Sequence, residues 1–148
     1  MKQVDTDDIT SLILEVFRLN GALTAAGDRL VGDLGLSSAR WQVMGAVALA
    51  PAPLTVPGIA RDMGLTRQSV RRVVRELVSE GILALEPNRA HRRSHLVVLT
   101  RRGARLYSEA SARQRPWAAA LAQDVPARSL VLATNLVRTL RERLEEST

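Results

Sequence analysis

Apolar residues recur at intervals of three and four along both terminal thirds of the chain, which predicts long amphipathic helices. The first segment spans roughly residues 8–34. The C-terminal segment follows the motif LTRRG, bends at Pro116 and resumes after Pro126, with apolar residues at nearly heptad spacing. These stripes have no obvious partner in so small a chain. We therefore expect them to pack against each other or against a second copy.

The middle of the chain is divided by caps and breakers into shorter helices. One helix is predicted to begin after Ser37 or Ser38 and to stop at Pro51. The next has Pro57 in its first turn and ends at Gly64. After the tight turn GLT, Thr66 caps another helix that runs to Glu80 and is closed by Gly81. The spacing predicts a helix-turn-helix.

The second helix of this pair has two chemically distinct faces. One carries five residues at helical spacing that are expected to pack against the preceding helix: Val70, Val73, Val74, Leu77 and Gly81. The opposite face carries Gln68, Arg72 and Arg75, flanked by Arg67, Ser69, Arg71 and Glu76. Such a face suits a DNA major groove, because arginine forks onto guanine and glutamine pairs with adenine. For an isolated basic helix, an ordinary solvated face is the simpler interpretation; the GLT turn and the following hairpin favour DNA.

That hairpin is predicted from two aliphatic segments, ILALEP and SHLVVLT, separated by NRAHRR. Arg89, Arg92 and Arg93 lie at or near its tip. Two interpretations stay open. The arginines enter an adjacent minor groove, where the negative potential attracts them, or they contact phosphates only.

Charge and composition narrow the class of protein. Residues 61–105 hold eleven arginines and four acids, a net +7, while the remainder of the chain carries −1. All excess positive charge therefore lies in the helix-turn-helix and hairpin segment, as expected of a polyanion-binding surface. The 46% apolar and 3% aromatic content of these 148 residues favours one domain of helices packed on helices.

Several other classes are disfavoured. The chain contains no cysteine, which excludes disulfides and thiol-based oxidant sensing. No nucleotide-binding glycine loop, catalytic triad pattern or metal-ligand spacing occurs, so we expect neither an enzyme nor a bound cofactor or metal. The start, MKQVDTDDIT, has no apolar signal core, and no uninterrupted apolar run approaches the roughly 18 residues of a membrane span. We expect a cytoplasmic protein without a membrane partner.

Residues 54–103, LTVPGIARDMGLTRQSVRRVVRELVSEGILALEPNRAHRRSHLVVLTRRG, resemble the winged helix-turn-helix core of the MarR family of bacterial transcriptional regulators. The resemblance implies a mainly α fold with a small β-wing, in which N- and C-terminal dimerisation helices flank the core. It implies one MarR-like domain over 1–148, with a DNA-binding lobe at 51–107 and dimerisation regions at 1–50 and 108–148. It also implies a homodimer on a pseudo-palindromic site in double-stranded DNA.

The resemblance assigns roles residue by residue. The base-contacting positions fall on Arg67, Gln68, Ser69, Arg71 and Arg72, with Thr66 as cap and phosphate contact. Arg75 extends this face, Arg93 matches the minor-groove arginine of the wing, and Arg92 lies beside it. Where the family commonly has an acid two residues before the wing arginine, this chain has His91. The orientation of Arg93 is therefore the least certain of these roles.

The family also suggests regulation by a small molecule, often an anionic aromatic compound, bound between the dimerisation helices and the DNA-binding lobe. The candidate lining residues are Phe17, Arg18, Trp41, Met44 and Tyr107, which combine large apolar faces with a cation. The alternative is that Phe17, Trp41 and Met44 are core residues. Repression is the expected sign of regulation, and a non-specific architectural DNA-binding protein is the main rival function.

Overall fold

Six α-helices and one two-stranded antiparallel sheet make up the fold in a computed structural model that describes residues 5–147. Residues 1–4, which belong to the predicted N-terminal region, and residue 148 lie outside the described part. The elements are α1 Thr6–Val31, a 3-10 turn Gly32–Leu34, α2 Ser38–Leu49, α3 Val56–Met63, α4 Arg67–Ser79, β1 Leu83–Glu86, β2 Leu96–Leu99, α5 Arg101–Leu121 and α6 Ala127–Glu146. The mainly α fold with a small β-wing is confirmed.

Hydroxyl side chains cap the three helices that surround the predicted turn. Ser37, Thr55 and Thr66 each accept a hydrogen bond from the backbone amide three residues later, at 3.2, 3.3 and 3.1 Å. Each bond satisfies a donor that has no partner within its helix. Gly64 ends α3 and Gly81 follows α4, both with positive φ (63° and 71°), a conformation that glycine adopts without strain. The caps predicted at Ser37 and Thr66 and the helix ends predicted at Gly64 and Gly81 are confirmed, and Thr55 is an additional cap.

The buried core lies beneath α4. The three valines and Leu77 of its predicted stripe are buried, whereas Gly81, predicted on the same side, is exposed because it follows the end of the helix. The four buried residues pack in one cluster with residues from α2, α3 and the sheet, of which Val43, Met44, Ile59, Leu83 and Val97 are almost completely buried. Burial of aliphatic side chains of this size stabilises a fold by about 1.5–3 kcal/mol each. The core thereby fixes which face of α4 points outward.

The wing pairs β1 with β2 in the register Leu83–Leu99 to Glu86–Leu96. Leu54 adds an isolated third position, because its carbonyl accepts a hydrogen bond from the amide of Val97 at 2.8 Å. Residues 87–95 form the loop between the strands, and all three predicted tip arginines lie in it with their side chains exposed.

The chain divides into two compact units, Met1–Gln114 and Arg115–Thr148. In the first unit, α1 exposes six large apolar side chains: Ile13, Leu14, Val16, Phe17, Leu19 and Leu23. In the second, α6 has no buried residue and also exposes six: Leu130, Val131, Leu132, Leu136, Val137 and Leu144. Pro116 lies inside α5, which runs on to Leu121. Many residues of both predicted apolar stripes are therefore exposed, whereas Val31, at the end of α1, is buried in the core.

One consequence of this exposure bears on the expected absence of a membrane partner. The segment Thr6–Leu34 is long and apolar enough to pass a length-and-composition test for a membrane-spanning helix, with a mean hydropathy of 1.2 in its most apolar window. None of that window is buried. Glu15 and Arg18 lie within this apolar window, and its mean hydropathy is still 1.2. The uncovered stripe of a helix that pairs with another protein chain produces the same signal.

Candidate nucleic-acid interface

The outward face of α4 gathers the predicted DNA-contacting side chains. Arg67, Gln68, Arg71, Arg72 and Arg75 are all exposed, opposite the buried valine stripe. They line a shallow depression of about 840 Å³ together with Thr66 and Ser69. Seven of the nine predicted DNA-contacting residues therefore share one surface. Within residues 5–147, the five exposed side chains form no hydrogen bond or ion pair that would hold them to the protein.

Two hydroxyl groups at the start of α4 are engaged with each other. The Thr66 hydroxyl donates to the Ser69 hydroxyl oxygen at 3.0 Å, and the Ser69 hydroxyl donates to the Thr66 carbonyl at 2.9 Å. A hydroxyl has one hydrogen and two lone pairs, so Ser69 keeps only one acceptor site for a ligand. In this arrangement Ser69 can accept a hydrogen bond from a base but cannot donate one.

A second groove joins α4 to the wing. It has a volume of about 370 Å³, and its cationic lining consists of Arg71, Arg75 and Arg93, with His95 at the same edge. The fold thus brings wing residue Arg93 beside α4, although Arg75 and Arg93 are 18 positions apart in sequence. Arg92 is exposed on the wing and lines neither depression.

The wing loop is shaped by backbone hydrogen bonds near the position where the family commonly has an acid. The carbonyl of His91 accepts from the amide of Ser94 at 3.0 Å, and the Asn88 side chain accepts from the amide of Ala90 at 3.1 Å. Within the described residues, neither Arg92 nor Arg93 forms a hydrogen bond or ion pair. The His91 side chain therefore does not replace an acid as a partner of Arg93.

Sequence reasoning missed the group that holds the C-terminal end of α4. Arg40, on α2, donates to both carboxylate oxygens of Glu80, at 2.7 and 3.0 Å, and to Glu76 at 3.3 Å. The Arg40 side chain is only 20% exposed. Its hydrogen bonds hold the pKa of Glu80 below the ordinary value, and the same pairing raises the pKa of Arg40. Two acids at a helix C-terminus have the wrong sign for the helix dipole, which was the available signal.

The start of α5 is fixed to the same end of α4. Arg102 donates to the Glu80 carbonyl at 2.9 Å, and the Thr100 hydroxyl donates to the Gly81 carbonyl at 2.7 Å. Gly103 approaches the backbone so closely that a Cβ atom there would collide with the carbonyl oxygen of Ile82. The C-terminal end of α4 is thus held to α2 by side-chain ion pairs and to the start of α5 by side chains that donate to its backbone carbonyls.

The candidate effector residues do not form a single site. Trp41 and Tyr107 line one crevice of about 560 Å³ between α2, α3 and α5. Met44 has no exposed surface and belongs to the core. Phe17 is 70% exposed on α1, and the neighbouring Arg18 forms an ion pair with Glu15 at 2.5 Å. Neither of these α1 residues lines the crevice.

Among residues 5–147, no group of three or more histidine, aspartate or glutamate side chains lies in an arrangement that would hold a metal ion.

Comparison with known sequences extends the similarity beyond the core. A family model described as MarR family matches residues 34–94. The uncharacterized protein Rv2011c of Mycobacterium tuberculosis is 42% identical over 101 residues, which cover 68% of this chain and 69% of that protein. The transcriptional activatory protein BadR of Rhodopseudomonas palustris is 30% identical over 112 residues, covering 69% of this chain and 64% of BadR.

Solved structures share the fold over nearly the whole chain. A MarR/EmrR family transcriptional regulator from Acinetobacter sp. ADP1 superimposes with a TM-score of 0.82 at 18% identity, covering 97% of this chain and 99% of that one. CouR from Rhodococcus jostii RHA1, bound to p-coumaroyl-CoA, gives 0.78 at 22% identity, covering 94% and 95%. At identities below 25% these structures show a shared fold, and the family match over residues 34–94 gives the classification: the chain belongs to the MarR family of transcription regulators.

Proposed function

We propose that the protein is a homodimeric regulator that binds a pseudo-palindromic operator, and that the outward face of α4 makes the base contacts. The observation that carries this proposal is the set of five unpaired polar side chains on α4, opposite its buried stripe. An arginine that is free of protein partners can fork onto guanine without first breaking an ion pair. The family's members are transcription factors without enzymatic activity, which agrees with this assignment.

Different contacts are assigned to the two parts of the interface. Arg67, Gln68, Arg71 and Arg72 lie in the first turn and a half of α4 and contact bases, and Ser69 accepts a hydrogen bond there. Thr66 and Arg75 lie at opposite ends of the face and contact phosphates. At Thr66, the start of the helix favours an anion. Arg93 enters the minor groove of the DNA, and Arg92 contacts the DNA phosphate backbone beside that groove. The shared groove of Arg75 and Arg93 supports a continuous path for DNA.

A second copy of the chain is proposed to cover the exposed apolar residues of α1 and α6. Each of these helices exposes six large apolar side chains, and concentrations of exposed apolar surface commonly mark protein–protein interfaces. We therefore propose that regions 1–50 and 108–148 form the dimer and that 51–107 forms the DNA-binding lobe of one functional domain. Light scattering coupled to gel filtration measures this directly. A mass near twice 16.2 kDa supports the dimer, and a stable monomer contradicts it.

The decisive DNA experiment compares a candidate palindrome from the upstream region of the gene with a scrambled duplex at several salt concentrations. Specific recognition predicts a large affinity ratio that persists as salt rises. A ratio near one at every salt concentration identifies the alternative, an architectural protein that binds phosphates only.

Single substitutions then separate base contacts from phosphate contacts. Arg72→Ala or Gln68→Ala is expected to cost about 1–3 kcal/mol on the operator and to relax base preference at one position. Arg93→Ala is expected to weaken binding without unfolding the protein. Arg29→Ala, which removes an exposed arginine of α1, serves as the control. Equal losses on operator and scrambled DNA for Arg72→Ala and Gln68→Ala contradict base contact.

We further propose that the protein is a cytoplasmic repressor released by a small molecule that binds the Trp41 and Tyr107 crevice. A dimer that covers promoter DNA blocks polymerase, which favours repression, whereas the name of BadR indicates that a relative activates. The complex of CouR with p-coumaroyl-CoA supports a small-molecule effector. A reporter fused to the bound promoter gives the sign: deletion of the regulator raises transcription if it represses and lowers it if it activates.

A further inference from the structure

The crevice beside Trp41 and Tyr107 has an unexpected charge. Its lining comes from α2, α3 and the first part of α5 and is mostly apolar. Gly45 faces the Tyr107 ring, and a Cβ atom at Gly45 would lie 3.7 Å from the ring carbon Cε2 and the hydroxyl oxygen. The absence of a side chain at position 45 therefore leaves a gap about one methyl group wide between α2 and the edge of the Tyr107 ring.

Among the described residues that line this crevice, Asp62 is the one charged side chain. Asp62 is exposed near the end of α3 and forms no ion pair or hydrogen bond within residues 5–147. The remaining polar lining residues, including Gln42, Ser111 and Gln114, are neutral. A carboxylate without a partner attracts a cation and repels an anion of the same shape.

Among the described residues that line this crevice there is no arginine, lysine or histidine. Arg71, Arg75 and Arg93 line the separate groove between α4 and the wing. Arg18, which the sequence suggested as a partner for an anionic effector, lies on α1 in an ion pair with Glu15. No arginine therefore lines the Trp41 crevice within the described structure to compensate a ligand carboxylate.

Aromatic side chains add to the same preference. The faces of tryptophan and tyrosine rings carry partial negative charge, which attracts cations placed over them. Trp41 and Tyr107 are both half-buried, so part of each ring is in contact with the crevice. The volume of about 560 Å³ lies in the range of small-molecule sites and accommodates a two-ring compound.

We propose that this crevice binds an aromatic cation in preference to an aromatic anion, with the ring against Trp41 and Tyr107 and the positive group near Asp62. The inference rests on the proposed effector role of the crevice and replaces the anionic class that the family resemblance suggested. Asp62 determines the charge preference, and the two rings supply most of the contact area.

The test uses three compounds that share one ring system and differ in charge: 2-naphthoate, 2-naphthamide and 2-naphthamidine. Calorimetric titration into the full-length protein is expected to give the tightest binding for the amidine and the weakest for the carboxylate. Each step is on the order of fivefold, because exposed charge pairs and exposed cation–π contacts contribute modestly. Asp62→Asn is expected to remove most of the advantage of the amidine over the amide and to leave the smaller part that the two rings contribute, whereas the control Glu86→Gln, an exposed acid of β1, leaves that advantage unchanged.

Gly45→Val tests the location, because a branched side chain at this position fills the space against Tyr107. This variant is expected to weaken all three compounds, with its fold checked by circular dichroism. The proposal is overturned if 2-naphthoate binds as tightly as 2-naphthamidine, if Asp62→Asn leaves the size of the amidine's advantage unchanged, or if none of the three compounds binds.

Operator binding, measured in parallel, separates this proposal from the proposed function. A charge preference without any effect on operator affinity supports the crevice and contradicts its role as the effector site. If the unmodified protein binds operator and scrambled DNA equally, the proposed function is contradicted, and the charge preference of the crevice is unaffected.

Discussion

Replacement of Arg40 by methionine is expected to destabilise the protein well beyond the loss of an ordinary surface ion pair. Methionine keeps an apolar stem but removes the guanidinium, which makes a two-pronged contact with Glu80 and a third contact with Glu76. An exposed ion pair contributes about 0.2–1 kcal/mol. The low exposure of Arg40 favours the upper end of that range for each contact, and the 42–43% exposure of the two glutamates limits it.

A further loss comes from a fourth contact. Arg40 also donates to the Gly35 carbonyl at 3.3 Å, and a hydrogen bond of this kind contributes about 0.5–1.5 kcal/mol. Together these effects give a loss of roughly 2 kcal/mol in the free energy of unfolding, since part of each contribution is screened by solvent. For a chain of this length, that loss lowers Tm by about 4–8 °C.

Urea denaturation and thermal unfolding, both followed by circular dichroism, measure this loss. The matched control is Arg18→Met, which breaks the Arg18–Glu15 pair, whose side chains are 67% and 68% exposed. The control is expected to cost no more than about 0.5 kcal/mol. A double-mutant cycle of Arg40→Met with Glu80→Gln gives the coupling directly. If Arg40→Met costs no more than Arg18→Met, or if the coupling is zero, the proposed stabilisation of α4 by Arg40 is wrong.

Three further outcomes follow from contacts at the ends of α4. Gly103→Ala is expected to destabilise the protein by at least about 2 kcal/mol in urea denaturation, because its Cβ collides with the Ile82 carbonyl; an unchanged midpoint contradicts the close approach. Thr66→Ala is expected to cost about 1 kcal/mol through loss of the helix cap, whereas Thr66→Ser restores it. The pKa of Glu80 is lower in the folded protein than in the unfolded chain, so its ionised carboxylate adds to the free energy of unfolding. This stabilisation is complete above the ordinary carboxyl pKa and is lost as pH falls through the lowered pKa of the folded state. The stability difference between the unmodified protein and Glu80→Gln should therefore shrink on acidification, and a difference that grows on acidification contradicts the pairing with Arg40.

Much of the DNA-binding unit was predictable because its signals are local. Caps at Ser37 and Thr66, turns at Gly64 and Gly81, and the spacing of valines in α4 depend on residues within a few positions of one another. Such signals determine which residues of one helix face outward. They were sufficient to bring the cationic side chains of α4 onto one predicted surface.

Contacts between distant elements were not predictable in the same way. Arg40 and Glu80 are forty residues apart, and no periodicity within α2 or α4 indicates that these two helices meet. The same limitation explains the expected effector residues. Phe17 and Met44 are large and apolar, but size alone does not distinguish the exposed stripe of α1 from the core beneath α4. Only the packing of whole elements assigns these residues to different surroundings.

The hydroxyl pair at the start of α4 has a consequence for how the protein's operator preference can change over evolution. Ser69 lies on the DNA-facing surface, but its hydroxyl donates to the Thr66 carbonyl and accepts from the Thr66 hydroxyl, so the helix start depends on it. The side chains of Gln68 and Arg72 form no hydrogen bond or ion pair within the described residues. New operator sequences are therefore accessible through residues 68 and 72 at little cost in stability, whereas residues 66 and 69 are constrained by folding.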